Sequence, residues 1–272
     1  PYIYHSGIDF SSEEEAAKFY IEELHKQVIF EGPDQIACIV LESMTGSNGS
    51  VKYPAGYLEG VREICTKYGI VMICDEVMVG FGRTGKFFTY QNYDFEPDMI
   101  TFAKGVTSSY ATLGGFIVNQ KISDYFDENV FPVGLTYNAH PLGCAAAIAS
   151  IDAYMEEHIF DNVQAMGKIL GEELEKLKAK HPCVGDVRYL GLMSGIELTN
   201  RKDGKYIPYY DNAKTTMVMK AANLLAEKRY LIMGVKYSLI LAPALIVTEH
   251  ELMDMILVLD EVLTEIDPLV TE

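Results

Sequence analysis

Two short apolar strings, each stopping abruptly at ionisable residues, constrain this chain more than any other feature. Ile70 to Cys74 (IVMIC) runs into Asp75-Glu76, and Met99 to Ala103 (MITFA) runs into Lys104. Strings of this length, apolar at successive positions, read as strands buried on both faces rather than as half-exposed strands that alternate. Gln35 to Glu42 (QIACIVLE) and Gly115 to Val118 have the same character. Between the first two strands, Tyr57, Leu58, Val61, Ile64 and Cys65 recur at helical spacing within Pro54 to Tyr68, and Gly69 supplies the stop. Strands apolar on both sides and separated by helices imply an α/β fold with a mostly parallel sheet covered on both faces. Ligands of such sheets bind beyond the carboxyl ends of the strands. Asp75, Glu76 and Lys104 stand at those ends. Read from the residues alone, they are either one polar crevice or an ion pair closing the sheet.

The flanking sequence completes the outline. Ser11-Ser12-Glu13-Glu14 opens a helix to about Lys26, with small polar caps followed by acids at the positive end of the dipole. MTGSNGSVKYP is a loop by its glycine, serine and proline content. The second half changes character. Pro141 to His158 and Phe160 to His181 read as long helices, and VGDVRYLGLMSGIEL (184–198) as antiparallel strands. Asn212 to Lys228 is a helix, Leu231–Val235 and Leu239–Leu241 are strands, and Thr248 to Ile266 is the last helix, opened by a Thr248/Glu251 capping box. The expected division is the end of a large α/β domain over 1–145 and a smaller α+β domain over 146–272.

Composition narrows the function classes. With 272 residues and 49% hydrophobic content a sizeable core is available. No apolar run approaches the ~20 residues that span a bilayer, so no membrane partner is expected. A net charge of −17 repels phosphate backbones and argues against nucleic acid. Cys38, Cys65, Cys74, Cys144 and Cys183 are odd in number and widely spaced, which fits a reducing, cytoplasmic compartment rather than a disulfide framework. No HxxxH or HExxH pair occurs, so no metal site is expected. The chain begins at Pro1, without a basic start or an apolar signal segment, and reads as a cut into a longer sequence.

CDEVMVGFGRTGKFF (74–88) followed by PDMITFAKG (97–105) strongly resembles the signature of the class III, or omega, aminotransferases, a group of the fold-type I pyridoxal-phosphate enzymes. Lys104 follows Asp75 by 29 residues, in keeping with that family's spacing. LTYNAHPLGCAAAIA (135–149), LESMTGSNGSVKYPAGYLEGVREIC (41–65), HPCVGDVRYLGLMSGIEL and LAPALIVTEHEL resemble further blocks in the family's order, so the resemblance spans nearly the whole chain. It implies a fold-type I large domain and small domain, and pyridoxal 5'-phosphate as cofactor. Lys104 would carry the cofactor as a Schiff base and then shuttle protons. Asp75 would pair with the pyridine nitrogen. Val77 would lie against the ring, pointing the same way as Asp75 if the strand continues. Thr136 would contact the phosphate of a neighbouring subunit, making a homodimer with a shared site. Glu42 matches an acidic position near the substrate, although Ser43 replaces the usual proline after it. Glu76 and Arg83 read as loop-holding residues. The partners implied are a small-molecule amine donor and a keto acid.

Several departures bear on the subclass. Relatives acting on 4-aminobutyrate or ornithine place a glutamine where Met78 stands, and a carboxylate-gripping arginine where Ile240 stands. Another branch has an arginine where Glu249 stands. The usual carboxylate clamps are therefore not visible. The apolar residue after Val77 and the GLTYNAHPL block are most similar to the pyruvate-using branch, which includes taurine–pyruvate and β-alanine–pyruvate aminotransferases. No Gly-Ser phosphate cradle and no cofactor-stacking aromatic is found before residue 36. Two other readings stay open: a non-catalytic fragment acting as a dimerisation or binding module, and a pyridoxal-phosphate enzyme of another reaction type, an epimerase or decarboxylase.

Overall fold

The computed structural model describes residues 1–201 and 216–270. The first sheet has four strands in sequential order: β1 (Cys38–Glu42), β2 (Val71–Asp75), β3 (Met99–Phe102) and β4 (Gly115–Val118). β1, β2 and β3 run parallel, in the register Glu42 opposite Asp75 and Asp75 opposite Thr101. β4 returns antiparallel along β3. Helices α1 (Glu13–Glu31) and α2 (Tyr57–Tyr68) pack on one face of this sheet. Val28, Val61, Ile64 and Cys65 meet Met72 and Cys74 there, with Ile39 and Leu41 alongside. The alternation of side chains along each strand turns Val40 and Asp75 to the other face.

That other face corrects one expectation. Val40 is 59% exposed and Phe116, in register with Asp75 through Thr101, is 42% exposed, while Ile117 on the opposite face is 45% exposed. Covering on both sides is thus incomplete among the described residues.

The boundaries also shift for local reasons. β1 begins at Cys38 rather than Gln35 because Pro33–Gln35 form a 3-10 turn. α2 begins at Tyr57 rather than Pro54 because Gly56, at φ +86°, turns the chain at its N-cap. α1 runs on to Glu31, where Gly32 at φ +84° ends it. A further helix, α3 (Gln120–Glu128), lies where none was read; Asn119 caps it by accepting from the Ile122 amide at 3.0 Å. α4 (Pro141–Glu156) and α5 (Ile159–Lys180) follow as expected.

The second sheet, in the order β5 (Val184–Leu190), β6 (Met193–Leu198), β8 (Ser238–Leu241), β7 (Met233–Val235), is antiparallel throughout. It packs with α4, α5, α6 (Met217–Glu227) and α7 (Glu249–Ile266) into one core, which also takes in Phe81, Phe88, Ile100 and Val106 from the first half. The start of the helix read over Asn212 to Lys228 lies outside the described residues. His181, at the end of α5, has its ring nitrogens 2.9 and 2.8 Å from the carboxylates of Asp260 and Asp267, which ties α5 to α7. Among the described residues no helix is long and apolar enough to cross a membrane.

The capping box of α7 forms as read. The Thr248 hydroxyl accepts from the Glu251 amide at 3.3 Å, and Glu251 accepts from the Thr248 amide at 2.9 Å. Thr248→Ala should therefore lower stability by about 1 kcal/mol. Urea unfolding at unchanged slope is the check, and an unchanged midpoint would contradict it.

Candidate active site

The register of the parallel strands fixes where the ionisable residues meet. Glu42 and Asp75 are paired neighbours at the ends of β1 and β2, and Lys104 follows two residues after β3 ends. Their fields overlap. Burial raises the Glu42 carboxyl above the usual carboxylate range; a hydrogen bond from the Gly46 amide opposes this, Asp75 adds to it, and Lys104 opposes it. The Glu42 carboxylate is itself engaged, accepting from that amide at 2.8 Å. One oxygen of Asp75, Oδ1, accepts from the Val77 amide at 2.9 Å. The other, Oδ2, has no hydrogen bond among the described residues, so it is available to a cation placed beyond the strand end.

β2 stops at Asp75, so Val77 lies in a turn and strand alternation does not orient it as the sequence suggested. Its amide donates to Asp75, its side chain is partly buried, and it does not line the cavity around Lys104.

Glu76 points away from Asp75 and is fully buried. It accepts from the Ser43 hydroxyl at 2.6 Å and from the Thr89 and Tyr90 amides, both at 2.8 Å. The loop-holding role read for it is what the structure shows. It also explains the serine that follows Glu42. A proline there would leave Glu76 without its side-chain donor. Burial still holds the Glu76 carboxyl above the usual range, against these hydrogen bonds.

Lys104 opens a cavity of about 940 Å³, within the range of small-molecule sites. Met78, Phe81, Arg83, Tyr154 and Met193 line it with the lysine. Lys104 has φ +46°, and Ser108 and Ser109 have φ +48° and +68°. Three left-handed non-glycine residues within six positions are held by hydrogen bonds from α4, a concentration typical of ligand-binding turns. The Tyr154 hydroxyl donates to the Gly105 carbonyl at 2.9 Å, and Ser108 and Ser150 share a bond of 2.9 Å. Tyr154 and Ser150 escaped the sequence reading because they carry no signal beyond helical spacing. Lys104 itself is exposed. The desolvation that a nucleophilic lysine requires is not provided around it by the described residues.

The departures in sequence fall in one place. Met78 lies over Gly46, where an added Cβ would meet its sulfur at 2.1 Å. It packs beside a buried cluster of Met44, Val79, Met193 and Ile240. The two positions that are polar in 4-aminobutyrate relatives thus share one apolar patch at the cavity wall. Glu249 is exposed at the start of α7. Arg83 acts as a loop residue: its Nη1 donates to the carbonyls of Leu192 at 3.2 Å and Pro243 at 2.6 Å. Thr136 is not brought to Lys104. It sits exposed in a turn between α3 and α4, and it does not line the cavity.

The family model for aminotransferase class III matches residues 3–263. A taurine–pyruvate aminotransferase of Bilophila wadsworthia is 35% identical over 254 residues, covering 90% of this chain and 56% of that protein. A diaminobutyrate–2-oxoglutarate transaminase of Halomonas elongata is 36% identical over 206 residues, covering 73% of this chain and 44% of its own length. Among solved structures, a taurine:2-oxoglutarate aminotransferase of Bifidobacterium kashiwanohense, in complex with pyridoxal phosphate and glutamate, superposes with a TM-score of 0.95 at 40% identity. All of this chain and 61% of that one are covered. An (S)-enantioselective omega-transaminase of Thermomicrobium roseum gives 0.89 at 33% identity. The chain spans between two fifths and three fifths of the length of these relatives. It is by sequence and by fold a member of the class III aminotransferases.

Proposed function

We propose that this protein is a pyridoxal-phosphate-dependent aminotransferase, moving an amino group from an amine or omega-amino acid donor to a keto acid, pyruvate. The observation that carries the reading is that Asp75 ends β2 and Lys104 follows the adjacent β3, with Lys104 lining a cavity of small-molecule size. The donor set fits the cofactor: an amine for its aldehyde, and at Asp75 Oδ2 a free carboxylate oxygen for its ring nitrogen. Bound there, pyridoxal phosphate supplies a ring that takes up electrons when a substrate carbon loses its proton.

The chain's own residues do the rest. Lys104 Nζ would hold the cofactor and, when free of it, would accept and return the proton of the substrate carbon. Asp75 would hold the ring nitrogen through its unengaged Oδ2. Val77 would lie against the ring and Glu42 would face the substrate side, as the family resemblance implies. Thr136 serves the phosphate of a neighbouring subunit. The exposure around it supports a homodimer: Val130, Leu135, Tyr137 and Leu142 are each more than two-thirds exposed, an apolar surface of the kind that associates. The same neighbour would desolvate Lys104. The large and small domains divide near residue 145, and a cytoplasmic setting fits the free thiols.

Pyruvate is favoured over a dicarboxylic acceptor by charge. Arg83 and Lys104 are the cations lining the cavity, and Glu157 opposes a second acid group. Incubated with taurine or β-alanine, the protein should consume pyruvate and form alanine in equal amounts, and use 2-oxoglutarate poorly. Racemised or decarboxylated product without keto-acid consumption would overturn the reaction type. A chain that takes up no pyridoxal phosphate would leave the dimerisation module standing instead.

A further inference from the structure

Arg83 is a partly buried cation with no acidic partner among the described residues. Its Nη1 is spent on two backbone carbonyls, both neutral. Its Nε and Nη2 make no hydrogen bond among the described residues, and no carboxylate pairs with it there. Those atoms are not sealed in the interior either, since they are not among the buried polar atoms lacking a partner. The side chain lines the cavity that Lys104 opens. Burial pulls the guanidinium below its usual range, a cost that a bound anion would relieve.

The other arginines described in ion pairs have acidic partners. Arg62 meets Asp98 at 2.6 Å, and Arg188 meets Glu197 at 2.9 Å. Arg83 departs from that pattern in a chain with 39 acidic residues. The Nε/Nη2 edge of a guanidinium presents two parallel N–H groups, the geometry that matches a carboxylate or sulfonate. Meanwhile the positions that grip an acid group in relatives hold Ile240, buried among methionines, and Glu249, exposed on α7.

We propose that the Nε/Nη2 edge of Arg83 is the acid subsite of this cavity, taking the single carboxylate or sulfonate of the donor and then the carboxylate of the keto acid. The proposal rests on the aminotransferase reading for its choice of substrates, but its test does not. Because Nη1 stays on Leu192 and Pro243, the arginine is fixed before the acid arrives, and the apolar wall of Met78, Met193 and Phe81 fills the space beside it. One fixed cation selects monoacids.

The test is binding of two unreactive acids, 3-hydroxypropanoate and 2-hydroxyethanesulfonate, to the 272-residue chain by calorimetry, with 1-propanol as the neutral control. Neither acid carries an amine, so binding is read without turnover. Both acids should bind the wild type, and the tighter one identifies the natural acid group. Arg83→Lys, which keeps the charge but loses the fork, should weaken both at least about tenfold. Lys86→Met, at an exposed position outside the cavity lining, should change them by less than about threefold. Equal binding by wild type and Arg83→Lys, or an equal loss in Lys86→Met, overturns the subsite. A measurement that needs no variant guards against misfolding. Phenylglyoxal should label Arg83 of the wild type, and saturating acid should protect it. Labelling that saturating acid leaves unchanged contradicts the proposal. Failure of transamination with acid binding intact would fault the reaction assigned above and leave the Arg83 subsite standing.

Discussion

Lys104→Ala should abolish the proposed amine transfer, lowering the rate by roughly 10⁴-fold or more, because no other lysine among the described residues lines the cavity to take over the proton transfers proposed for it. The effect is chemical rather than structural, and the backbone provides the control. Lys104 sits at φ +46°, a conformation that costs an L-residue and suits glycine. Lys104→Gly should therefore unfold no earlier than the wild type while being equally inactive. An active Lys104→Gly would remove the lysine from the mechanism. An unfolded one would show that the strained turn depends on the lysine itself and not on the bonds from Tyr154 and Ser150.

The second large effect is on stability. Glu76→Ala should cost about 3–5 kcal/mol, since it strands the Ser43 hydroxyl and the Thr89 and Tyr90 amides in a site closed to water. The loop they hold carries Arg83, so the loss should propagate to the cavity. The pH dependence has a definite sign. Burial raises the folded carboxyl above its unfolded value, so the folded chain holds that proton more tightly. Its contribution to stability is then fullest below the unfolded carboxyl value and shrinks as the pH rises through the folded one. The damage done by Glu76→Ala should accordingly be greater at acid pH than at neutral pH. Denaturant titrations of both proteins across the carboxyl range are the measurement. A penalty that grows with pH would contradict the assignment.

Much of this was legible in the sequence because parallel strands write themselves as apolar strings that end in functional groups. IVMIC and MITFA by themselves put Asp75 and Lys104 at strand ends. The capping box at Thr248 and the hairpin over 184–198 obeyed local rules and formed as read. What stayed hidden depends on contacts distant in sequence. Ser43 looked like a defect in an acidic block until its hydroxyl was found on Glu76, 33 residues away. Arg83 looked like loop structure, and half of its guanidinium is, through carbonyls 109 and 160 residues on. Its unused edge has no sequence signal. α3 went unread between Val118 and the exposed stretch before α4. Val77 shows the opposite case: its orientation depended on the strand continuing, and β2 ends two residues before it, at Asp75.

The central claim is that Lys104 is the attachment point for pyridoxal phosphate and that Asp75 conditions it. The most direct measurement is borohydride reduction of the protein loaded with pyridoxal phosphate, followed by peptide mapping. The label is expected on the peptide containing Lys104, with less retained in Asp75→Asn. Label on another lysine, or a loaded protein that takes none, would contradict the account.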